Sequence, residues 1–246
     1  ASICAAWILL SPAQYRNWLW GNQACVYLSL LTAMLGWRAL LLETRALRRA
    51  SRAVCWGVLS SYTFGAGLLY WPASLYLCWR RRDPRTAAVL ACSALVVLGS
   101  YRMIPGPAPS PMGTPGVEGV VFVLGFLGSA LGPDTAHVTA AVGLIYLGFE
   151  LVRRRDPEAT SDLFGVMGLY VLLCAAAAAV YRAGHVEAVH GLVGRYVTYS
   201  CLFWTSVVAL LIRRVLDRSG IRRVSALCLL AVLLLLLARS GWRGAL

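Results

Sequence analysis

The polar residues that could do chemistry in this 246-residue chain concentrate in one segment, between residues 182 and 195. Two guanidinium groups, two imidazoles and a carboxylate stand close together there, with apolar runs on either side. Imidazole and carboxylate groups are common general acids and bases, and a guanidinium group can bind phosphate through two parallel hydrogen bonds. The candidate polar cluster consists of Arg182, His185, Glu187, His190 and Arg195.

Three roles for this cluster follow from its residue types. His185 and His190 are five residues apart, which places them about 140° apart around a helix. That spacing does not match the His-Glu-x-x-His pattern of zinc enzymes, so we expect no metal site and identify no cofactor. Acid–base or phosphate chemistry, and a structural role as polar residues at two helix ends, stay open. Arg195 is the best single candidate for a phosphate contact.

A second polar set precedes the first long apolar run. The segment 11–23 reads SPAQYRNWLWGNQ and mixes aromatic side chains with amides and one arginine. Aromatic faces can stack on sugars, but the same mixture is typical of the headgroup layer, where Trp and Tyr anchor helix ends. Both interpretations stay open. The candidate sugar-binding lip consists of Arg16, Asn17, Trp18, Trp20 and Gln23.

The composition predicts the elements that position these residues. The chain is 59% hydrophobic and 13% charged, whereas soluble domains are about 45–50% apolar and about 25% charged. The apolar residues form runs of the length that crosses a bilayer. We predict an all-α polytopic transmembrane helix bundle with about 6–7 spans, forming a single transmembrane domain over 1–246. Crossings are expected at 24–42, 86–101, 136–152, 163–181, 196–212 and 224–238, after the end of a helix at 1–10.

One apolar stretch, 54–79, has arginine runs at both ends. Arginine accumulates on the cytoplasmic side of a membrane, so a single crossing would place one run on the wrong side. Gly65, Gly67 and Pro72 in its middle can interrupt a membrane helix. We therefore predict a broken re-entrant pair, Val54–Phe64 and Leu68–Trp79, that enters and returns on the same side.

The net charge of +13 comes entirely from arginine on the basic side, and the arginines cluster at the ends of apolar runs. This placement indicates topology signals and contacts with membrane lipids, and we expect no nucleic-acid partner. Most arginines fall on one side, taken as cytoplasmic, if the segment 117–132 is re-entrant or interfacial. That side holds 43–52, 80–85, 153–155 and 213–223, so the polar cluster faces outward. The eight cysteines make no close pairs and are expected to be buried.

Four segments carry a resemblance to known proteins: Ser11–Gln23, SYTFGAGLLYWP at Ser61–Pro72, FLGSALG at Phe126–Gly132, and GRYVTYSCLFW at Gly194–Trp204. They resemble a widespread group of bacterial multi-spanning membrane proteins. That group is similar to the multi-spanning glycosyltransferases that use polyprenyl-phosphate sugars. The Gly-rich break before Pro72 also looks like a Gly-rich helix pair followed by Pro in those enzymes.

The resemblance implies a multi-pass protein of the bacterial inner (cytoplasmic) membrane that handles envelope glycan or lipid-linked sugars. It implies a polyprenyl-phosphate lipid as partner and an active site at the outer membrane face. The family's catalytic acid lies in an external loop ahead of the segment that resembles Ser11–Gln23. We expect the family's N-terminal helices to be missing here, so we assign no catalytic residue. The alternative is a non-catalytic structural subunit that packs with partner membrane subunits.

Overall fold

The computed structural model of the protein describes residues 23–103, 116–132, 134–153, 158–182 and 196–216, with the single residue 231. Every element within these ranges is helical, so the all-α prediction is confirmed. In chain order the elements are α1 (Gln23–Leu42), α2 (Ala46–Thr63), the 3-10 helix η1 (Gly65–Leu69), α3 (Tyr70–Arg80), α4 (Pro84–Met103), α5 (Val117–Gly128), the 3-10 helix η2 (Ser129–Leu131), α6 (Ala136–Val152), α7 (Ala159–Arg182) and α8 (Val197–Leu216).

Four described helices, α1, α4, α7 and α8, are long and apolar enough to cross a membrane. A fifth candidate consists of α5, η2 and α6, which form a broken span or re-entrant loop bent by 99°. The chain is therefore a helical membrane protein. Within the described residues the span count is about five, where the sequence predicted 6–7 for the whole chain. Two predicted runs, 1–10 and 224–238, lie outside the described residues, and α6 alone is about 26 Å long, short of the hydrocarbon thickness of about 30 Å.

Within the described residues the chain forms two compact units. The first unit comprises 23–103 and 158–170, and the second comprises 116–132, 134–153, 171–182 and 196–216. Helix α7 contributes its first half to one unit and its second half to the other. The single transmembrane domain over 1–246 stays a prediction.

The predicted broken helix is present in the first unit as a helix hairpin, α2–η1–α3. Its first helix begins at Ala46, not at Val54, so the arginine-rich segment 46–52 is helical where we predicted a loop. Arg, Ala and Leu are strong helix formers, and the segment contains neither Gly nor Pro. The buried side chains of α2 are all small. A face of small residues lets α2 pack closely against its neighbours.

The break itself lies at η1, as predicted. Gly67 packs so closely on the backbone carbonyl of Ser60 that an added Cβ would collide with it. The same carbonyl accepts a hydrogen bond from Ser29 Oγ (3.1 Å), on α1. A broken helix within a membrane must satisfy the backbone groups that it frees. Here the Ser29 hydroxyl bonds to the Ser60 carbonyl, and the Gly67 amide donates to the Phe64 carbonyl (2.7 Å).

The tip of the hairpin lies level with the far end of α4. Tyr62 stacks on Tyr101 with ring centroids 5.5 Å apart, and the Tyr101 hydroxyl donates to the Ser61 carbonyl (2.5 Å). Trp71 Nε1 donates to Ser61 Oγ (2.9 Å). Helix α4 begins beside the open end of the hairpin and ends beside its tip. The hairpin is therefore about as long as α4, which is long enough to cross a membrane.

Four buried aromatic side chains form the core of the first unit: Trp37, Tyr70, Trp71 and Tyr170. Trp37 stacks on Tyr70 at 5.8 Å between centroids and meets Tyr170 edge-on at 5.4 Å. Two of these rings are fixed by hydrogen bonds, because Trp37 Nε1 donates to Ser74 Oγ (3.0 Å) and the Tyr70 hydroxyl donates to the Ala53 carbonyl (2.9 Å). These bonds fix the rings that hold α1, the hairpin and α7 together.

The second unit is built around α8, whose side chains are buried along most of its length. Its Ser200 Oγ donates to the Leu127 carbonyl (2.5 Å) and accepts from the Ala130 amide (3.0 Å). Trp204 Nε1 donates to the same Leu127 carbonyl (3.0 Å). A serine and a tryptophan therefore both donate hydrogen bonds to the last turn of α5. A serine and a tryptophan also meet at the hairpin tip, where Trp71 donates to Ser61.

The chain turns sharply after η2. Gly132 adopts a φ of 91°, in the left-handed region that favours glycine. Helix α5 and η2 together measure about 24 Å, too short for a full crossing. This geometry supports the expectation that 117–132 is not a plain crossing.

Three described cysteines are exposed, contrary to expectation: Cys25, Cys55 and Cys92. They lie on faces of α1, α2 and α4 that no described helix covers. Small apolar side chains at such positions are compatible with lipid, so hydropathy alone did not distinguish a lipid-facing from a buried cysteine.

Candidate functional site

A dense set of charges lies at one end of the first unit, where α1, α2, α3, α4 and α7 all begin or end. Arg81 Nη1 donates to the Leu41 carbonyl (3.3 Å), and Arg49 Nη1 donates to the Glu43 carbonyl (3.4 Å). Two arginine-rich segments far apart in the chain therefore meet, as the positive-inside argument predicts. We call this surface the basic end. Its charged members are Arg38, Glu43, Arg45, Arg48, Arg49, Arg52, Arg80, Arg81, Arg82, Asp83, Arg85 and Asp162.

The turn between α3 and α4 brings several of these charges together. Arg82 has a φ of 55°, in the left-handed region. The Asp83 amide bonds to the Cys78 carbonyl (3.0 Å) and the Arg82 amide to the Trp79 carbonyl (3.1 Å), which is the Schellman pattern of a helix end. Asp83 then caps α4, because its Oδ1 accepts from the Thr86 amide (3.2 Å), and Pro84 occupies the first helical position.

Asp162, in the first turn of α7, binds two consecutive arginines. Its Oδ1 accepts from Arg80 Nε (2.8 Å) and its Oδ2 accepts from Arg81 Nε (3.0 Å). The Asp162 side chain is fully buried, and the side chains of Arg80 and Arg81 are only 15% and 25% exposed. A buried carboxylate needs such partners, since an isolated buried charge is very costly. The contact joins the end of the hairpin to the start of α7.

Two further ion pairs tie the start of α2 to its surroundings. Arg49 Nη2 bonds to Asp83 Oδ2 (2.7 Å), which links the two ends of the hairpin. Arg52 Nη1 bonds to Glu43 Oε2 (2.8 Å), and the Arg52 side chain is 57% exposed. The first pair is partly shielded from solvent, whereas the second is of the surface type that contributes little to stability.

The pKa of Asp83 is set by opposing effects. Burial alone raises the pKa of this carboxyl group, but hydrogen bonds from Thr86 and the nearby Arg49 guanidinium lower it below its ordinary value. A carboxylate with a lowered folded-state pKa stabilises the fold above its unfolded-state pKa, and that contribution disappears as the pH falls through the folded-state pKa.

We therefore predict that the stability advantage of the wild type over Asp83→Asn depends on pH. The difference in thermal midpoint, measured in mild detergent, should be constant above about pH 5 and should shrink below about pH 4. The Asp83→Asn variant is the matched control, because asparagine retains the helix cap but cannot ionise. A difference that stays constant down to pH 3 would contradict the role assigned to the Asp83 charge.

The basic end has arginines in excess of its carboxylates. Glu43, Asp83 and Asp162 each accept a hydrogen bond from arginine, so these carboxylates are already engaged. The surplus guanidinium groups can bind phosphate-bearing molecules at the membrane surface. Among the described residues, no group of three His, Cys, Asp or Glu side chains could hold a metal ion. Anion binding is the chemistry that this surface supports.

The second unit contains its own buried ion pair. Arg214 Nη1, on α8, bonds to Glu150 Oε1, on α6, at 3.0 Å, and the Glu150 side chain is 5% exposed. The Arg214 guanidinium also lies over the Phe149 ring, 5.0 Å from its centroid. This contact brings the C-terminal ends of α6 and α8 together. Both ends carry arginine, and the sequence predicted that they share a side.

Most of the candidate residues chosen from the sequence lie outside the described residues. In the polar cluster, Arg182 is the last residue of α7, and His185, Glu187, His190 and Arg195 are outside. In the lip, Gln23 is the first residue of α1 with a buried side chain, and Arg16, Asn17, Trp18 and Trp20 are outside. The polar cluster and the lip stay predictions.

The sequence argument missed the buried carboxylates Asp162 and Glu150. Each is an acid within or beside an apolar run, followed or preceded by arginine-rich segments. An ionisable residue in such a run is rarely lipid-facing and has a partner inside the bundle. That rule marks both residues as paired, although it does not name their partners.

Comparisons with protein-family models, with curated proteins and with solved structures gave no match to this chain.

Proposed function

We propose that the protein is an integral, multi-pass component of the bacterial inner membrane that handles envelope glycan or lipid-linked sugars. In this role it is similar to glycosyltransferases that use polyprenyl-phosphate sugars. The observation that carries the proposal is the broken helix hairpin, in which the Gly-rich η1 is followed by Pro72. This is one of the features on which the resemblance to those enzymes rests.

The lipid phosphate is bound by the polar cluster at the outer face. Arg195 is its main ligand, since a guanidinium group offers two parallel donors to a phosphate. His185, Glu187 and His190 stand within ten residues of it in the chain and supply further hydrogen bonds or a proton. The aromatic lip at 16–23 holds the sugar.

Binding of a polyprenyl-phosphate lipid to the purified protein in nanodiscs tests this proposal. We expect Arg195→Ala to weaken binding about tenfold or more, because it removes hydrogen bonds to a charged group. Arg102→Ala is the matched control, because Arg102 lies in the last turn of α4 on the same predicted side but outside the polar cluster. Equal affinity of the Arg195 and Arg102 variants, or no binding by the wild type, would refute the proposal. A parallel assay of sugar transfer decides whether the protein is an enzyme.

A second candidate function is that of a non-catalytic structural subunit in a larger membrane assembly. It is favoured by four of the described carboxylates, because Glu43, Asp83, Glu150 and Asp162 each bond to arginine. Groups engaged in this way stabilise helix contacts rather than move protons. Stoichiometric co-purification with other membrane chains supports this function, and a purified chain that transfers sugar alone excludes it.

A further inference from the structure

A groove with a volume of about 620 Å³ opens at the basic end, between the second half of α1 and the first half of α2. Much of its lining is apolar and includes Leu35, Leu42, Cys55 and Trp56. Its size falls within the range of about 300–1,000 Å³ that is typical of ligand sites. An apolar groove at the end of a membrane-crossing helix is open to a hydrocarbon chain from the bilayer.

The polar rim of the groove is basic. Arg38 and Arg52 line it together with one carboxylate, Glu43. Glu43 is already bonded to Arg52, whereas Arg38 is exposed and forms no ion pair with any described residue. The positive charge of Arg38 and Arg52 therefore suits an anion, and the apolar lining suits an acyl chain.

We propose that this groove binds one anionic phospholipid of the cytoplasmic leaflet. The lipid phosphate contacts Arg38 and Arg52, and one acyl chain lies along Trp56 and Cys55. An indole beside a guanidinium group is typical of the membrane interface, where the ring meets the headgroup layer. Each nearby arginine strengthens the binding of a negatively charged headgroup. The groove shares no residue with the polar cluster used by the proposed function, so either proposal can fail without the other.

Protection of Cys55 from alkylation tests the site directly. The protein in mild detergent is treated with a maleimide, and the alkylation rate of each cysteine is measured by peptide mass spectrometry. We expect phosphatidylglycerol to slow the alkylation of Cys55 about fivefold or more relative to phosphatidylcholine. Cys25 and Cys92 are exposed elsewhere in the unit and serve as internal controls, whose rates should be equal in the two lipids.

The Arg38→Gln variant should lose this protection, whereas Arg48→Gln should keep it. Arg48 is an exposed arginine of the same end that does not line the groove. Equal protection by phosphatidylcholine would overturn the proposal, since the headgroup would then not be recognised. Protection by inorganic phosphate alone would make the groove a site for a soluble anion and would also overturn it. The wild-type measurement is decisive even if a variant does not fold.

Discussion

Asp162→Asn should lower the free energy of unfolding by about 3 kcal/mol, the lower end of the range measured when one partner of a buried ion pair is removed. The substitution keeps the shape of the side chain but removes the charge that Arg80 and Arg81 share. Both arginines are partly exposed and can regain some hydration, which is why we expect the lower end. Unfolding in mild detergent, followed by tryptophan fluorescence, measures the effect.

The matched control for this prediction is Glu43→Gln. Its partner, Arg52, has a side chain that is 57% exposed, so the loss should stay below about 1 kcal/mol. Replacing Arg80, Arg81 and Asp162 together with apolar residues of similar size should recover much of the lost stability, because no buried charge is left unpaired. Equal losses for Asp162→Asn and Glu43→Gln would show that Asp162 is not the contact that joins the hairpin to α7.

Gly67→Ala should destabilise the fold by about 2–3 kcal/mol, because an added methyl group overpacks a tight contact. The new Cβ would collide with the backbone carbonyl of Ser60, which cannot rotate aside as a side chain could. That carbonyl also accepts the hydrogen bond from Ser29 on α1. The collision therefore separates α2 from η1 and disturbs the contact between α1 and α2. Thermal unfolding in detergent measures the loss.

Gly65→Ala, two residues away in the same η1, is the control and should act in the opposite direction. A Cβ at Gly65 meets open space, and the backbone there is not left-handed. Alanine should stabilise the fold by about 0.4–1 kcal/mol, chiefly by restricting the unfolded chain. If both variants were destabilised alike, the break would be sensitive to any loss of glycine, and the close approach to Ser60 would not be its cause.

The break at Gly65–Leu69 could be predicted because Gly and Pro interrupt a membrane helix and the flanking arginines require the chain to return. The start of α2 could not be predicted, since an arginine run at a helix end resembles a loop in composition. That segment is helical because its residues favour a helix and because Asp83 and Glu43 form ion pairs with Arg49 and Arg52. Asp83 is 34 positions from Arg49 in the chain, and Glu43 is nine positions from Arg52.

The candidate site illustrates the same limit. Hydropathy predicts where helices cross, but the pairing of charges depends on which helix ends meet. Asp162 lies 82 and 81 positions from Arg80 and Arg81, and no local pattern connects them. The groove was missed for a similar reason, because Arg38 and Cys55 belong to different helices. The outward polar cluster, chosen from local spacing alone, stays a prediction.

Labelling of single cysteines in intact cells that express the protein tests most directly whether both ends of the hairpin lie on the cytoplasmic side. Arg45→Cys, Arg85→Cys and Met103→Cys are made separately in a variant that lacks the eight native cysteines. All three positions are exposed, with Arg45 and Arg85 at the basic end and Met103 at the opposite end of α4. With a membrane-impermeant maleimide, we expect reaction at position 103, and reaction at 45 and 85 only after permeabilisation. Reaction at just one of positions 45 and 85 in intact cells would contradict a hairpin that returns to its starting side.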